Sequence, residues 1–341
     1  MTFQIELLPS GKRFECEPDE TVLQAALRQN VVLPYGCRNG ACGSCKATLV
    51  SGEVDPGVFQ PRALPEADRV LGKVLLCCAQ PQSDLGIQAR ELSGAGDMPI
   101  RKMPCRVNVI EKPVSDVAIL RIQLPANEVL QYRAGQYIEF LLRDGQRRSY
   151  SMANAPAPEA GIELHIRHMP GGVFTDHVFG QMKEREILRL EGPLGSFFLR
   201  EESNLPIIML ASGTGFAPIK GMIEYSLEKS MRRPIHLYWG GRREKDLYMA
   251  DLARQWAADN DHIHFIPVLS DVEPGEAWAG RTGFVHQAVM QDFADLSGFQ
   301  VYACGAPVMV DAARRDFTQM CGLPEDAFFA DSFTSAADLQ G

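Results

Sequence analysis

Residues 35–49 read YGCRNGACGSCKATL, which places Cys37, Cys42 and Cys45 among Gly36, Gly40 and Gly43 within eleven positions. Cysteines this dense can form a disulfide knot, a zinc site, a redox pair or an iron–sulfur loop. The spacing separates them. A structural zinc site offers two close ligand pairs, and here only Cys42 and Cys45 make one. A thiol–disulfide pair wants its C-x-x-C at a helix start and has no use for Cys37 or the glycines.

C-x4-C-x2-C with a distant fourth cysteine is the plant-type spacing of a [2Fe-2S] cluster. Thiolates bind ferric iron, and glycines let the loop turn its amides toward the sulfurs of a negatively charged cluster. The fourth ligand lies in LLCCAQP, where Cys77 and Cys78 are adjacent. On an expected strand Val74–Cys78 they point to opposite faces, so the residues alone leave that choice open. Cys16, Cys105 and Cys321 are expected to be structural or incidental.

Around this loop the chain of 341 residues is long enough for two or three domains. It is 45% hydrophobic and 23% charged, with a formal net charge of −9. The lack of a basic stripe argues against nucleic acid as a partner. The first residues show no basic leader followed by an apolar core, and the longest apolar run, Leu205–Ala211, is too short for a membrane span. A cytoplasmic protein is expected, where thiols stay reduced and the disulfide reading loses its ground.

Three blocks follow from pattern. Residues 1–92 read as a hairpin (Phe3–Leu8, Arg13–Glu17), a helix over Thr21–Asn30, then strand Lys46–Val50, a short helix near Pro65–Val70 and strand Leu85–Ala89. This is a small α+β domain of β-grasp type. Residues 93–103 are polar and glycine-rich, as a linker is. Residues 104–202 carry short alternating runs, Cys105–Ile110, Val117–Gln123, Gln136–Leu142, Arg148–Met152, Ile162–His168 and Glu186–Glu191, which predict an antiparallel β-barrel. Over 203–341, apolar strands Ile207–Ala211, Ile235–Tyr238, His264–Val268 and Gln300–Ala303 alternate with helices, as in a parallel α/β sheet.

The middle block contains Arg148-Ser149-Tyr150-Ser151 after Gly135-Gln136-Tyr137. Taken alone this is an ordinary polar-edged strand. It resembles the RxYS motif of the ferredoxin–NAD(P)+ reductase superfamily, which implies that Arg148 pairs with a flavin phosphate, Tyr150 stacks on the isoalloxazine and Ser151 bonds its edge. The same resemblance implies a second flavin-contacting strand at His165-Ile166-Arg167. It also implies a pyrophosphate cradle at Gly171, Gly172, Val173 and Thr175, with Thr175 as the helix N-cap. Arg167 could equally be a surface charge. FAD is the expected flavin.

The last block runs from strand Ile207–Ala211 into Ser212-Gly213-Thr214-Gly215-Phe216-Ala217-Pro218. Glycines at a strand-to-helix turn let backbone approach a dinucleotide phosphate. GTGFAP is similar to the superfamily's nucleotide turn, which makes Gly213, Thr214, Gly215 and Pro218 expected cofactor contacts. Cys304-Gly305, at a later strand end, is similar to the superfamily's Cys-Gly pair beside the nicotinamide. Phe333 is the expected aromatic over the flavin, with Asp331 behind it. Cys304, Tyr150 and Ser151 are thus expected nearest the reacting atoms. Arg242 and Arg243 leave NADH and NADPH open, while the resemblance implies NADH.

Over its whole length the chain resembles the one-component reductases of that superfamily with an N-terminal ferredoxin module. Runs such as GACGSCKATLVSGEVD, AGQYIEF, QRRSYSMANAP, ASGTGFAPIK and TGFVHQAV look most similar to the CDP-6-deoxy-Δ3,4-glucoseen reductases. The resemblance implies Cys77 as the fourth iron ligand beside Cys37, Cys42 and Cys45. It implies an enzyme that passes a hydride from NADH to FAD and single electrons through the cluster. The partner would be a pyridoxamine-phosphate-dependent dehydrase, or else the oxygenase component of an aromatic-ring dioxygenase or diiron monooxygenase. A redox-sensing module is a remote alternative. The cluster exit is expected around Arg38 and Asn39.

Overall fold

The computed structural model describes residues 2–92, 98–157, 161–273, 275 and 277–333. Among them, residues 2–99 with Gly195–Phe197 make one compact unit, and Ile100–Leu194 with Phe198–Phe333 make a second. The two later blocks expected from sequence therefore group as one body.

In the first unit, β1 (Phe3–Leu8) and β2 (Lys12–Cys16) pair as a hairpin with Ile5 opposite Phe14. α1 (Val22–Arg28) starts at a reciprocal cap, in which Thr21 Oγ1 accepts the Gln24 N–H and Gln24 Oε1 accepts the Thr21 N–H. It buries Val22, Leu23, Ala25 and Ala26. There follow β3 (Lys46–Ser51), β4 (Val54–Asp55), α2 (Glu66–Val70), β5 (Lys73–Leu75), β6 (Gln80–Pro81) and β7 (Leu85–Gln88). The main sheet runs β2-β1-β7-β3-β5, mixed, with β1 and β7 parallel. This is the β-grasp arrangement expected, and its core gathers Ile5, Leu7, Leu23, Leu33, Leu75 and Ile87.

One expectation is corrected here. β5 ends at Leu75, and Cys77 and Cys78 sit in the turn after it. The Cys78 amide donates to the Leu75 carbonyl, so the chain curls instead of extending. Strand alternation does not separate these two thiols, whose sulfurs lie 3.6 Å apart.

The second unit opens with β8 (Arg101–Val114), which begins inside the segment expected as a linker; residues 93–97 of that segment lie outside the described residues. Then come β9 (Val117–Gln123), β10 (Tyr137–Leu141), β11 (Arg147–Ser151), β12 (Ile162–Arg167), α3 (Val173–Gly180) and β13 (Ile187–Leu194). They form an antiparallel sheet in the order β11-β10-β13-β8-β9-β12. A bridge between Met152 and Leu164 joins its two ends into the expected barrel.

The rest is β14 (Ile207–Ser212), a 3-10 turn Gly213–Gly215, α4 (Phe216–Glu228), β15 (Ile235–Gly241), α5 (Ala250–Asp259), β16 (Ile263–Leu269), β17 (Arg281–Thr282), α6 (Val285–Asp292), β18 (Gln300–Gly305), α7 (Pro307–Met320) and β19 (Phe328–Ser332). The sheet is parallel in the order β17-β16-β15-β14-β18-β19. Strand order reverses between β14 and β18, and the crevice beyond their carboxyl ends is where such sheets bind ligands.

Candidate functional site

The cysteine loop has no regular secondary structure. Gly40 and Gly43 adopt φ of 75° and 74°, and Arg38, not Gly36, takes the third left-handed position at 61°. A β-carbon on Gly40 would lie 2.8 Å from Cys78 Sγ and 2.9 Å from Phe59 Cα. Glycine is required there on both counts.

That backbone aims amides at sulfur. The Cys37 N–H donates to Cys42 Sγ and the Ala41 N–H to Cys37 Sγ, both at 3.4 Å. The Gly40 amide reaches Cys77. The thiols fall into two hydrogen-bonded pairs, Cys37 with Cys42 and Cys45 with Cys77. The Cys42 contact, joined by the Asn39 and Ala41 amides, pulls Cys37 down to about 7. The Cys45 contact, the Cys78 thiol and the Gly40 amide hold Cys77 far below an ordinary thiol. Among the described residues no three Cys, His, Asp or Glu side chains converge on one ion. Two thiol pairs under inward amides suit a two-iron cluster, in which each iron takes two thiolates. Arg38 is half-buried and Asn39 exposed beside the loop.

In the second unit, β11 carries Arg148, Tyr150 and Ser151. Arg148 Nη1 donates to the Arg147 carbonyl at 2.8 Å. The Tyr150 ring lies 5.5 Å from Phe174 and 6.0 Å from Phe140, and burial raises its hydroxyl pKa well above 10. Ser151 is buried, and its hydroxyl donates to Asp331 Oδ2 at 3.3 Å. Gly171 has φ of 85° with open space where a β-carbon would stand, and its N–H donates to Asp176 Oδ2.

The N-cap of α3 is Gly172, not Thr175 as the sequence suggests. The Thr175 hydroxyl is turned back to the Met169 carbonyl at 2.8 Å, closing the preceding turn. Val173 is exposed at the helix start. Ile166 is buried in the barrel core. His165 and Arg167 face the other way, toward the parallel-sheet half. An open glycine turn, a largely buried tyrosine ring and a helix start beside it are features a flavin dinucleotide uses.

At the switch point Gly213 has φ of 53°, and a β-carbon on Gly305 would fall 2.2 Å from Ser212 Oγ. Ser212 Oγ accepts the Ala306 N–H at 3.0 Å, tying the ends of β14 and β18 together. Sequence reasoning passed over Ser212, although it stands directly before the glycine turn. Thr214 and Pro218 are buried. Cys304 is wholly buried, and burial with the nearby Asp331 charge pushes its thiol up. The Phe333 N–H donates to the Gly305 carbonyl at 2.9 Å, which brings the end of β19 to this point.

At the far end of β15, Asp246 Oδ2 accepts the N–H groups of Arg242 and Arg243 at 2.9 and 3.0 Å. Arg243 Nη2 pairs with Asp271 at 3.1 Å and Glu273 at 2.9 Å. Both acids follow β16, and the sequence reading did not single them out. No helix among the described residues is long and apolar enough to cross a membrane.

Three family models match the chain: a 2Fe-2S iron-sulfur cluster binding domain over residues 5–82, an oxidoreductase FAD-binding domain over 104–199 and an oxidoreductase NAD-binding domain over 209–315. The CDP-6-deoxy-L-threo-D-glycero-4-hexulose-3-dehydrase reductase of Yersinia pseudotuberculosis is 44% identical over 98% of this chain and 99% of its own. The phenol hydroxylase P5 protein of Acinetobacter pittii is 36% identical over 99% and 96%. Among solved structures, a cytochrome P450 reductase of Amycolatopsis matches with a TM-score of 0.78 and 33% identity over 98% of this chain and 100% of that one.

Proposed function

Because the chain belongs to the ferredoxin–NAD(P)+ reductase superfamily, in the branch with an N-terminal 2Fe-2S domain, we propose that it supplies electrons to a pyridoxamine-phosphate-dependent dehydrase acting on a nucleotide-linked deoxyhexulose. It is an NAD(P)H-dependent iron–sulfur flavoprotein oxidoreductase with 2Fe-2S, FAD and NAD modules. The observation that carries the choice of acceptor is the 44% identity, over nearly the full length of both chains, to a reductase named for such a dehydrase.

When bound, FAD would supply hydride acceptance with single-electron release, and a [2Fe-2S] centre would supply a one-electron relay. Cys37 with Cys42 would hold one iron, and Cys45 with Cys77 the other. Amides of Cys37, Gly40 and Ala41 would offset the sulfur charge. Arg148, Gly171, Gly172 and the first turn of α3 would bind the flavin phosphates, and Tyr150 would lie along the ring system. Ser151, fixed by Asp331, would present its hydroxyl at the flavin edge. Gly213–Gly215 would receive the nicotinamide dinucleotide's phosphates. Gly305, without a side chain, lets Ser212 close against the strand end, and the Cys304–Gly305 end would stand beside the nicotinamide ring.

The test is reconstitution. Purified holoprotein with NADH is offered either a dehydrase with its deoxyhexulose substrate or an aromatic oxygenase component, and product is measured. Deoxygenated sugar from the first mixture supports the reading. Turnover with the oxygenase alone overturns the choice of acceptor and leaves the reductase assignment in place.

A further inference from the structure

β12 presents three polar side chains in strand alternation, Glu163, His165 and Arg167, while Leu164 and Ile166 point into the barrel core. Each of the three reaches a different element of the parallel-sheet half within the same compact unit. Glu163 Oε1 lies 3.0 Å from Lys220 Nζ on α4. His165 Nδ1 lies 2.7 Å from the Tyr248 hydroxyl, ahead of α5. The Arg167 guanidinium, held by Asp116, stands 3.3 Å from where a β-carbon on Gly213 would be.

The first two contacts form one continuous chain. Glu163 Oε1 also faces His165 Nε2 at 3.1 Å, so that nitrogen carries the proton and Nδ1 accepts from the Tyr248 O–H. Lys220 is 5% exposed; besides Glu163 it pairs with Glu224 at 2.7 Å and donates to the Ala153 carbonyl at 3.1 Å. Arg121 closes the other side of Glu163 at 3.1 Å. Tyr248 meets Trp239 edge-on at 5.3 Å, and Trp239 Nε1 donates to the Gly213 carbonyl. The chain therefore runs from the barrel strand to the nucleotide turn without a gap. One residue past Lys220, a β-carbon on Gly221 would lie 3.0 Å from the Asn154 carbonyl, so α4 sits directly on the segment after β11.

We propose that the chain Lys220–Glu163–His165–Tyr248 is a positioning device that sets the register of the nucleotide turn against the flavin-bearing strand, and thereby the hydride-transfer distance. The proposal rests on the flavin and nucleotide roles given above. None of the four residues needs to touch a reacting atom. A buried, fully bonded polar network defines one arrangement of the groups it joins, whereas an apolar contact tolerates sliding. Misplacement by the order of 1 Å costs about 10²-fold in such a step.

Lys220→Met keeps the stem and removes the charge, and Tyr248→Phe removes only a hydroxyl. In each, FAD content, thermal midpoint, KM for NADH, stopped-flow flavin reduction and the long-wavelength nicotinamide–flavin charge-transfer band are measured. Amide hydrogen exchange of Ile162–Arg167 and Phe216–Glu228 is followed in flavin-free protein. The expected result is about 10- to 100-fold slower reduction, a weakened charge-transfer band and faster exchange in both segments, with FAD content and KM near wild type, and partial rescue by Lys220→Arg. Wild-type reduction rates in both variants overturn the proposal. So does a loss that merely follows FAD content or thermal midpoint. If Lys220→Met does not fold, Tyr248→Phe decides alone by the same readings. Failure of wild-type protein to be reduced by NADH would instead strike the function proposed above.

Discussion

A β-carbon on Gly215 would stand 2.1 Å from the carbonyl oxygen of Cys304. The end of the nucleotide turn and the end of β18 are thus in backbone contact, and no side chain fits between them. Gly215→Ala is expected to force the turn and the Cys304–Gly305 strand end apart. NADH-dependent flavin reduction should fall by at least ~10²-fold, while dithionite still bleaches both flavin and cluster. Normal NADH reduction in the alanine variant would show that the close approach has no bearing on hydride transfer.

The two adjacent thiols should behave differently. Cys77 is joined to Cys45 and to the Gly40 amide, whereas Cys78 packs behind the loop against Gly40. Cys77→Ser is expected to lose the visible absorbance of the [2Fe-2S] centre, and Cys78→Ser to keep it. Cys42→Ser should retain NADH–ferricyanide activity through the flavin and lose cytochrome c reduction. The reverse result for the 77/78 pair would move the fourth iron ligand by one residue.

Nucleotide preference is expected to favour NADH. Arg243 is already shared by Asp271 and Glu273, so a 2′-phosphate arriving at the ends of β15 and β16 meets two carboxylates before it meets a guanidinium. In the double variant Asp271→Asn, Glu273→Gln, kcat/KM with NADPH should rise about tenfold, equivalent to ~1.4 kcal/mol. An unchanged NADH:NADPH ratio would remove these acids from the selectivity.

Glu163 should give the second unit an acid-sensitive share of its stability. Burial alone would raise its carboxyl, but the hydrogen bond from His165 and the Lys220 charge outweigh that and lower it from 4.5 to about 2. The unfolded chain binds this proton more readily. The contribution is therefore complete above the unfolded value of 4.5 and is lost as pH falls toward 2. It is worth about 3 kcal/mol at neutral pH. Thermal unfolding of flavin-free wild type and Glu163→Gln should differ most near pH 7, with the gap narrowing below pH 4.5. A gap independent of pH would mean that the charge on Glu163 is not what stabilises the unit.

What the sequence made legible were features written in short spacings. Cys37, Cys42 and Cys45 and their glycines lie within one loop, and the alternation of β9, β10 and β12 and the glycine turn after β14 are equally local. The choice of Cys77 over Cys78 rests on resemblance and not on the residues alone, because the turn after Leu75 depends on an amide-to-carbonyl bond that no two-residue pattern announces. Thr175 fits a capping rule, but its hydroxyl is drawn back to Met169. Ser212, Lys220, Tyr248, Asp271 and Glu273 act through partners 28 or more residues away, and a single chain gives no sign of such pairs. Glu163, His165 and Arg167 do recur at every second position, but this is the ordinary polar-out alternation of a barrel strand and does not tell a solvent face from a buried one.

That face also has a meaning for exchanging parts between relatives. A chimera cut near residue 203 separates Lys220 and Tyr248 from the β12 residues they bind. The unit that can be transplanted intact is then the nucleotide half together with the polar face of β12, and a graft that carries both should keep its hydride rate where the simpler graft loses it.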